Sequence, residues 1–232
     1  MSLRDRFYKE VGVAGEGYAI LLDGKPVKTP AGRALLLPLR ALADAVAEEW
    51  RAQGPKLVPA SMLLTKLANT AIDRVGTNRS LAIEQILGFA KSDLICYRAE
   101  SPPDLVARQS EQWDRLIEWA KTRHGAALKT ATGIAFVEQP KEALGALMRA
   151  VAAHDDFTLA GLHAAATLAG SAIIALAMSQ GWLTAEEAFA ASELDNIYQA
   201  ETWGRDEEAG RKADAKTTEL TEIAQFFKFL RQ

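Results

Sequence analysis

The side chains best suited to chemistry in this sequence are one thiol, Cys96, three imidazoles, His124, His154 and His163, and a run of carboxylates between residues 192 and 206. A thiol becomes a nucleophile when a cation, a helix N-terminus or a histidine lowers its pKa, and Cys96 has no such neighbour in sequence. The histidines lack any short metal-ligand spacing and any His-Glu-x-x-His motif. His163 falls in an apolar stretch, where a hydrogen-bonded core histidine is the ordinary reading. Gly12, Gly15 and Gly17 do not keep the dinucleotide-binding spacing. Gly24-Lys25 lacks the upstream glycine and downstream Ser or Thr of a phosphate loop, and Pro26 follows directly. The pairs Glu48-Glu49 and Asp155-Asp156 would diverge on a helix and read as surface. No cofactor, metal or small-molecule substrate is expected. An enzyme built on Cys96 or His163 stands only as the alternative to a protein that works by binding.

The carboxylate run is different. Residues 185 to 204 read as one helix, opened by Thr184 with Glu187 at capping-box spacing. Leu194, Ile197 and Tyr198 define an apolar stripe whose next position is Glu201, which puts a carboxylate on the inward face. Unpaired in a core it would cost several kcal/mol, so it must meet an arginine, reach solvent at the helix end, or await a partner molecule. The adjoining face carries Ser192, Asp195, Gln199, Thr202 and Asp206 as a polar, acidic ridge, with Trp203 and Gly204 at its end. An aromatic side chain near a helix end can anchor an interface.

The elements that must position these residues follow from patterning. The 232 residues, 49% of them hydrophobic, are enough for a substantial core in one domain or two. A formal charge of −3, with no run of lysine or arginine, gives no footprint for nucleic-acid phosphates. Alternation at Tyr18, Ile20 and Leu22 before Asp23-Gly24 predicts strands, and with 7–13 and 34–37 a meander of about four. Leu39, Leu42, Ala43, Val46 and Trp50 then predict a helix ended by Gly54-Pro55. Further amphipathic helices are expected over 64–75, 83–97, 106–120 (after Ser101-Pro102-Pro103 and ending towards Gly125), 140–151 and 220–230, with a short extended excursion near 134–137. The fold class is therefore α+β: a β-rich N-terminal domain with a packed helix, 1–58, and a helical domain, 59–232. Residues 157–178 contain no Asp, Glu, Lys or Arg. As one helix they would reach roughly 33 Å, so a membrane-associated factor is a second alternative, and a buried central helix the preferred reading. A single cysteine suits a reducing compartment, and the start Met-Ser-Leu-Arg-Asp-Arg-Phe-Tyr has no secretory or transit signal.

The run Ser192-Glu193-Leu194-Asp195, continuing to Gln199, Glu201, Trp203-Gly204 and Asp206, resembles one family, the assembly chaperones for the alpha subunit of the F-type ATP synthase. The resemblance extends to Arg6-Phe7-Tyr8-Lys9, Leu22 through Pro30, Glu49-Trp50, Leu67 through Asp73, and Asp93-Leu94 with Tyr97-Arg98. It implies a non-enzymatic protein that binds the unassembled alpha subunit, keeps it from aggregating and yields it to the beta subunit. It also implies a β-rich N-terminal and a helical C-terminal domain. Partner binding is expected at Glu201 above all, with Glu193 and Asp195 as alternatives and with Gln199, Trp203 and Asp206 beside them. Two positions depart from the family pattern: Arg115 follows Trp113-Asp114 where proline is expected, and Asn196 follows Asp195 where an acidic residue is common. In this mitochondrial and alphaproteobacterial family the short N-terminus resembles a bacterial, cytoplasmic member, since a mitochondrial one would carry an import segment.

Overall fold

The computed structural model describes residues 3–133, 135–204 and 206–232. A three-stranded antiparallel sheet comes first: β1 (Val11–Ala14), β2 (Ala19–Leu22) and β3 (Lys25–Pro26), with Val13 opposite Ile20 and Leu22 opposite Lys25. Asp23 and Gly24 both take positive φ, 48° and 77°, as a two-residue hairpin matched to strand twist requires. The expected fourth strand is reduced to isolated bridges, Ala19 with Leu36 and Lys28 with Ala34. Leu35 and Leu37 point into the core instead of extending a ladder. Helix α1 (Arg40–Arg51) buries Leu42, Ala43, Val46 and Ala47 and packs on β1 and β2.

Polar side chains fasten this head. Asp23 accepts from the backbone N–H groups of Lys9 (3.0 Å) and Glu10 (2.8 Å), which hold its carboxyl below the usual range. The Tyr8 hydroxyl donates to the Trp50 carbonyl at 2.6 Å. Helix α2 (Leu63–Asp73) has no cap of its own. The Glu49 carboxylate takes that place, accepting from Leu64 N, Thr65 N and Thr65 Oγ1 at 2.6–2.8 Å and satisfying orphan N–H groups of the first turn. At the other end of α2, Asp73 accepts from Thr29 Oγ1 (2.7 Å) and Ala31 N (2.9 Å).

The helical body continues with α3 (Arg79–Lys91), α4 (Pro103–His124), α5 (Lys141–Ala152), α6 (Asp156–Ala169), α7 (Ala172–Ser179), α8 (Ala185–Ser192), α9 (Leu194–Trp203) and α10 (Glu207–Leu230). Helix α3 stops at Lys91 rather than reaching Tyr97. Residues 94–96 form a 3-10 turn, and β4 (Tyr97–Arg98) pairs in parallel with β5 (Ala131–Thr132). The extended excursion thus lies at 131–132, whereas 135–139 are irregular and Ile134 is outside the described residues.

The apolar run is buried but is two helices, not one. Gly170, at φ 67°, ends α6, and the Ser171 hydroxyl caps α7 through Ile174 N. All eight residues of α7 are buried, and at roughly 2 kcal/mol for each large apolar side chain this helix is a main source of stability. Asp93, fully buried, accepts from Ile173 N (3.2 Å) at the start of α7. Burial pushes its carboxyl up to about 6, against the hydrogen bonds from Ser171 and the backbone. Helix α6 packs on α2, α3 and α10. At Gly161 a Cβ would lie 2.7 Å from a Phe227 ring carbon, so the absent side chain permits the α6–α10 approach. Among the described residues no helix is long and apolar enough to cross a membrane. One contiguous apolar cluster runs from Ile20, Leu35 and Leu37 through the helices to Phe226 and Phe227.

Candidate partner-binding groove

The predicted single helix over 185–204 is broken at Glu193, and α9 starts anew in the next residue. Its direction is set by α4. Trp113 donates its indole N–H to Ala191 O at 2.9 Å, Gln109 Nε2 donates to Asp195 Oδ1 at 2.7 Å, and the Tyr198 hydroxyl meets both oxygens of Asp104 at 2.9 Å. Gln109 is buried, and its other side-chain atom accepts from Ala99 N, so Asp195 completes an internal network. Arg108 reaches Glu201 Oε2 at 2.5 Å, and this bond and charge raise the arginine pKa.

The inward carboxylate is therefore corrected. Leu194 and Tyr198 are buried, but Glu201 is 51% exposed and paired with an arginine that is 45% exposed. Tyr198 already meets Asp104, one residue into α4, so the next turn of α9 passes the start of its packing partner. The continuous ridge is corrected too. Ser192 is buried at the end of α8, Asp195 faces α4, and Asp206 belongs to α10, which it caps through Ala209 N at 2.7 Å.

Between α9 and the N-terminal half of α10 lies an open groove of about 1020 Å³. Five of the six candidate residues, Glu193, Gln199, Glu201, Trp203 and Asp206, line it, and Asp195 does not. Its apolar surface comes from Phe189, Ile197, Ala200, Trp203, Ala209 and Ala213. Trp203 is 75% exposed, more than any other large apolar side chain described. At the closed end Glu193 accepts from Lys216 Nζ (2.5 Å) and Asn196 Nδ2 (2.8 Å), and both members of the ion pair are under one-fifth exposed. No residue from Glu207 to Glu219 is buried. The far wall of the groove is thus a helical arm that projects from the core contacts at Leu220, Ile223, Phe226 and Phe227. Sequence reasoning missed Arg108 and Lys216 because each pairs across elements distant in sequence, by 93 and 23 residues.

The groups considered for catalysis do not converge. Cys96 is buried, and burial together with the Asp93 charge pushes its thiol up to about 12. Burial lowers the pKa of His163, half-buried on α6, helped by the Arg74 charge. No group of three or more His, Cys, Asp or Glu placed to hold a metal occurs among the described residues.

Comparison with known proteins gives these surfaces their setting. The model of the ATP12 chaperone protein family matches residues 5–121, half of the chain. The chain belongs to the ATP12 chaperone family. That match covers the head and α1 to α4 and stops before the groove. Relatives of the family extend over it. The crystal structure of Atp12 from Paracoccus denitrificans is 39% identical, covers 97% of this chain and 98% of its own, and superposes with a TM-score of 0.91. The Atu1473 protein of Agrobacterium tumefaciens is 42% identical over 98% of this chain and 87% of its own, with a TM-score of 0.94. The mitochondrial protein atp12 of Schizosaccharomyces pombe is 26% identical over 218 residues, 88% of this chain and 75% of its own length. The α+β architecture is therefore shared with the Paracoccus Atp12 and Agrobacterium Atu1473 structures.

Proposed function

We propose that this ATP12 family chaperone serves assembly of the F-type ATP synthase by holding the unassembled alpha subunit, shielding its interface from aggregation until the beta subunit replaces it. The observation that carries this reading is the groove between α9 and α10, where Glu193, Gln199, Glu201 and Asp206 surround apolar surface ending in Trp203, 75% exposed. A large aromatic anchor with a polar rim is the usual make-up of a protein-binding hot spot. Holding needs no cofactor and no catalytic group. We also propose that residues 1–58 form a β-rich N-terminal domain and 59–232 a helical C-terminal domain, packed on one common apolar core, in a cytoplasmic protein.

The test is suppression of aggregation. Purified chain in several-fold excess should keep isolated alpha subunit in solution on dilution from denaturant, as followed by light scattering. Trp203→Ala should abolish this while changing unfolding stability by no more than about 0.5 kcal/mol, as for an exposed side chain. Failure of the parent chain to protect the subunit, or full protection by Trp203→Ala, would sink the reading.

A further inference from the structure

A second concave surface lies on the head, formed where three of the stretches that carry the family resemblance meet. Residues 6–9 contribute Phe7 and Tyr8, residues 22–30 contribute β3 with Val27 and Lys28, and Glu49-Trp50 contributes the indole. Together with Arg4 and Leu57 they enclose about 400 Å³, room for a short peptide segment rather than one side chain. The fold does not account for all of them. Phe7 is 54% exposed although Tyr8 beside it is buried, and the Arg4 guanidinium lies over the Phe7 ring at 4.5 Å. The Trp50 indole N–H is buried without a hydrogen-bond partner, a group whose desolvation is normally offset by an acceptor.

The charges at this pocket have one sign to spare. Arg4, Lys25 and Lys28 are exposed, and none closes an ion pair within 4.0 Å among the described residues. The one acid in the lining, Asp23, accepts from the Glu10 and Lys9 N–H groups and lies within the field of Lys25, so the lining of three cations and one acid keeps a net positive charge. Aromatic surface beside an excess of positive charge fits a ligand that brings carboxylates and an apolar side chain together. A nucleic acid would supply the anions, but the chain as a whole carries a formal −3, which disfavours a long polyanion.

We propose that this pocket is a second docking site, which takes an acidic stretch of a partner polypeptide with an apolar residue set among its carboxylates. It is distinct from the α9–α10 groove and does not depend on the identity of the client held there. The apolar residue packs on Phe7 and Tyr8, and the carboxylates pair with Lys25 and Lys28.

The experiment uses the full chain and a capped decapeptide of aspartate and glutamate around two leucines. Binding is read from amide and indole N–H spectra, with the Trp50 indole signal identified by its loss in Trp50→Phe. Saturable shifts confined to Phe7, Tyr8, Trp50 and residues 22–28 of the head are expected, with affinity reduced at least about tenfold by Lys25→Glu with Lys28→Glu and unchanged by Trp203→Ala. Phe7→Ala should weaken binding independently of salt. If the glutamate variant disturbs the spectrum outside the head, the milder Lys25→Gln with Lys28→Gln carries the comparison. The proposal is overturned if no saturable shift occurs, if the same peptide with lysine in place of its acids binds as well, or if the charge-removed variants bind undiminished. It is equally overturned if an oligouridine of equal charge or phosphatidylglycerol vesicles bind the pocket more tightly than the peptide.

Discussion

Replacing Lys216 with methionine separates the ion pair that secures the groove from the one that decorates it. Both pairs close to 2.5 Å, but the Glu193–Lys216 side chains are 17% and 15% exposed, against 51% and 45% for Glu201 and Arg108. Exposed pairs contribute about 0–1 kcal/mol, whereas removing one partner of a buried pair costs about 3–5 kcal/mol. Glu193 lies between these limits and keeps its bond from Asn196, so Lys216→Met should destabilise by about 1–3 kcal/mol. At about 2–4 °C per kcal/mol for a chain of this size, the unfolding midpoint should fall by about 2–12 °C. The projecting arm should respond first. Amide hydrogen exchange should accelerate over 207–216 while Leu220 to Leu230, anchored by Phe226 and Phe227, stays protected. Glu201→Gln should leave the midpoint in place and weaken protection of the alpha subunit. An unchanged exchange pattern in Lys216→Met would mean that other contacts hold the arm, and a large fall in midpoint for Glu201→Gln would return that residue to a structural role.

Three further outcomes follow from buried groups. Asp93 has its carboxyl raised from 3.8 to about 6 by burial, so between these values the native state binds more protons than the unfolded state, and stability falls as pH rises through that window. This difference is worth about 3 kcal/mol. Urea titrations at pH 4 and pH 7 should show a smaller pH dependence in Asp93→Asn than in the parent, and equal dependence would contradict the assignment. Gly161→Ala places a Cβ 2.7 Å from Phe227 and should lower stability by about 1–3 kcal/mol, measured by the urea midpoint. Cys96, buried with its thiol at about 12, should resist an aromatic disulfide reagent in the native chain while reacting completely in urea, and prompt native labelling would show that the core opens.

Much of the fold was legible because periodicity and capping are local. The Asp23-Gly24 hairpin, the Thr184–Glu187 capping box and the helix ended by Gly125 at φ 74° all stand where their residues place them. What could not be read were interruptions made by tertiary contacts. Gly170 looked like one more small residue in an apolar run, yet Asp93, eighty positions before its donor Ile173 N, receives the N-terminus of a new helix there. The break at Glu193 was hidden in the same way, since helical spacing continues across it. Five of the six candidate residues line one groove, but Glu201 was placed inward and Asp195 on the open ridge, whereas Glu201 is exposed and Asp195 faces α4. Burial on α9 depends on where α4 begins, which the spacing of Leu194, Ile197 and Tyr198 does not contain.

This distinction also divides the residues that carry the family resemblance. Asp23, Glu49, Asp73 and Asp93 are each occupied by backbone N–H groups of a different segment, so the fold alone gives sufficient reason for a carboxylate at each. Arg98 is likewise spent internally, donating to the carbonyls of Ile95 and Gln109. The same explanation fails for Phe7, Lys25 and Lys28 on the head and for Gln199 and Trp203 at the groove, which are exposed and have no comparable internal duty. An exposed aromatic beside charge contributes little to folding, whereas it contributes most where a partner can desolvate it. Substitutions in the first group should therefore lower stability and client protection together, and those in the second should lower binding while stability holds.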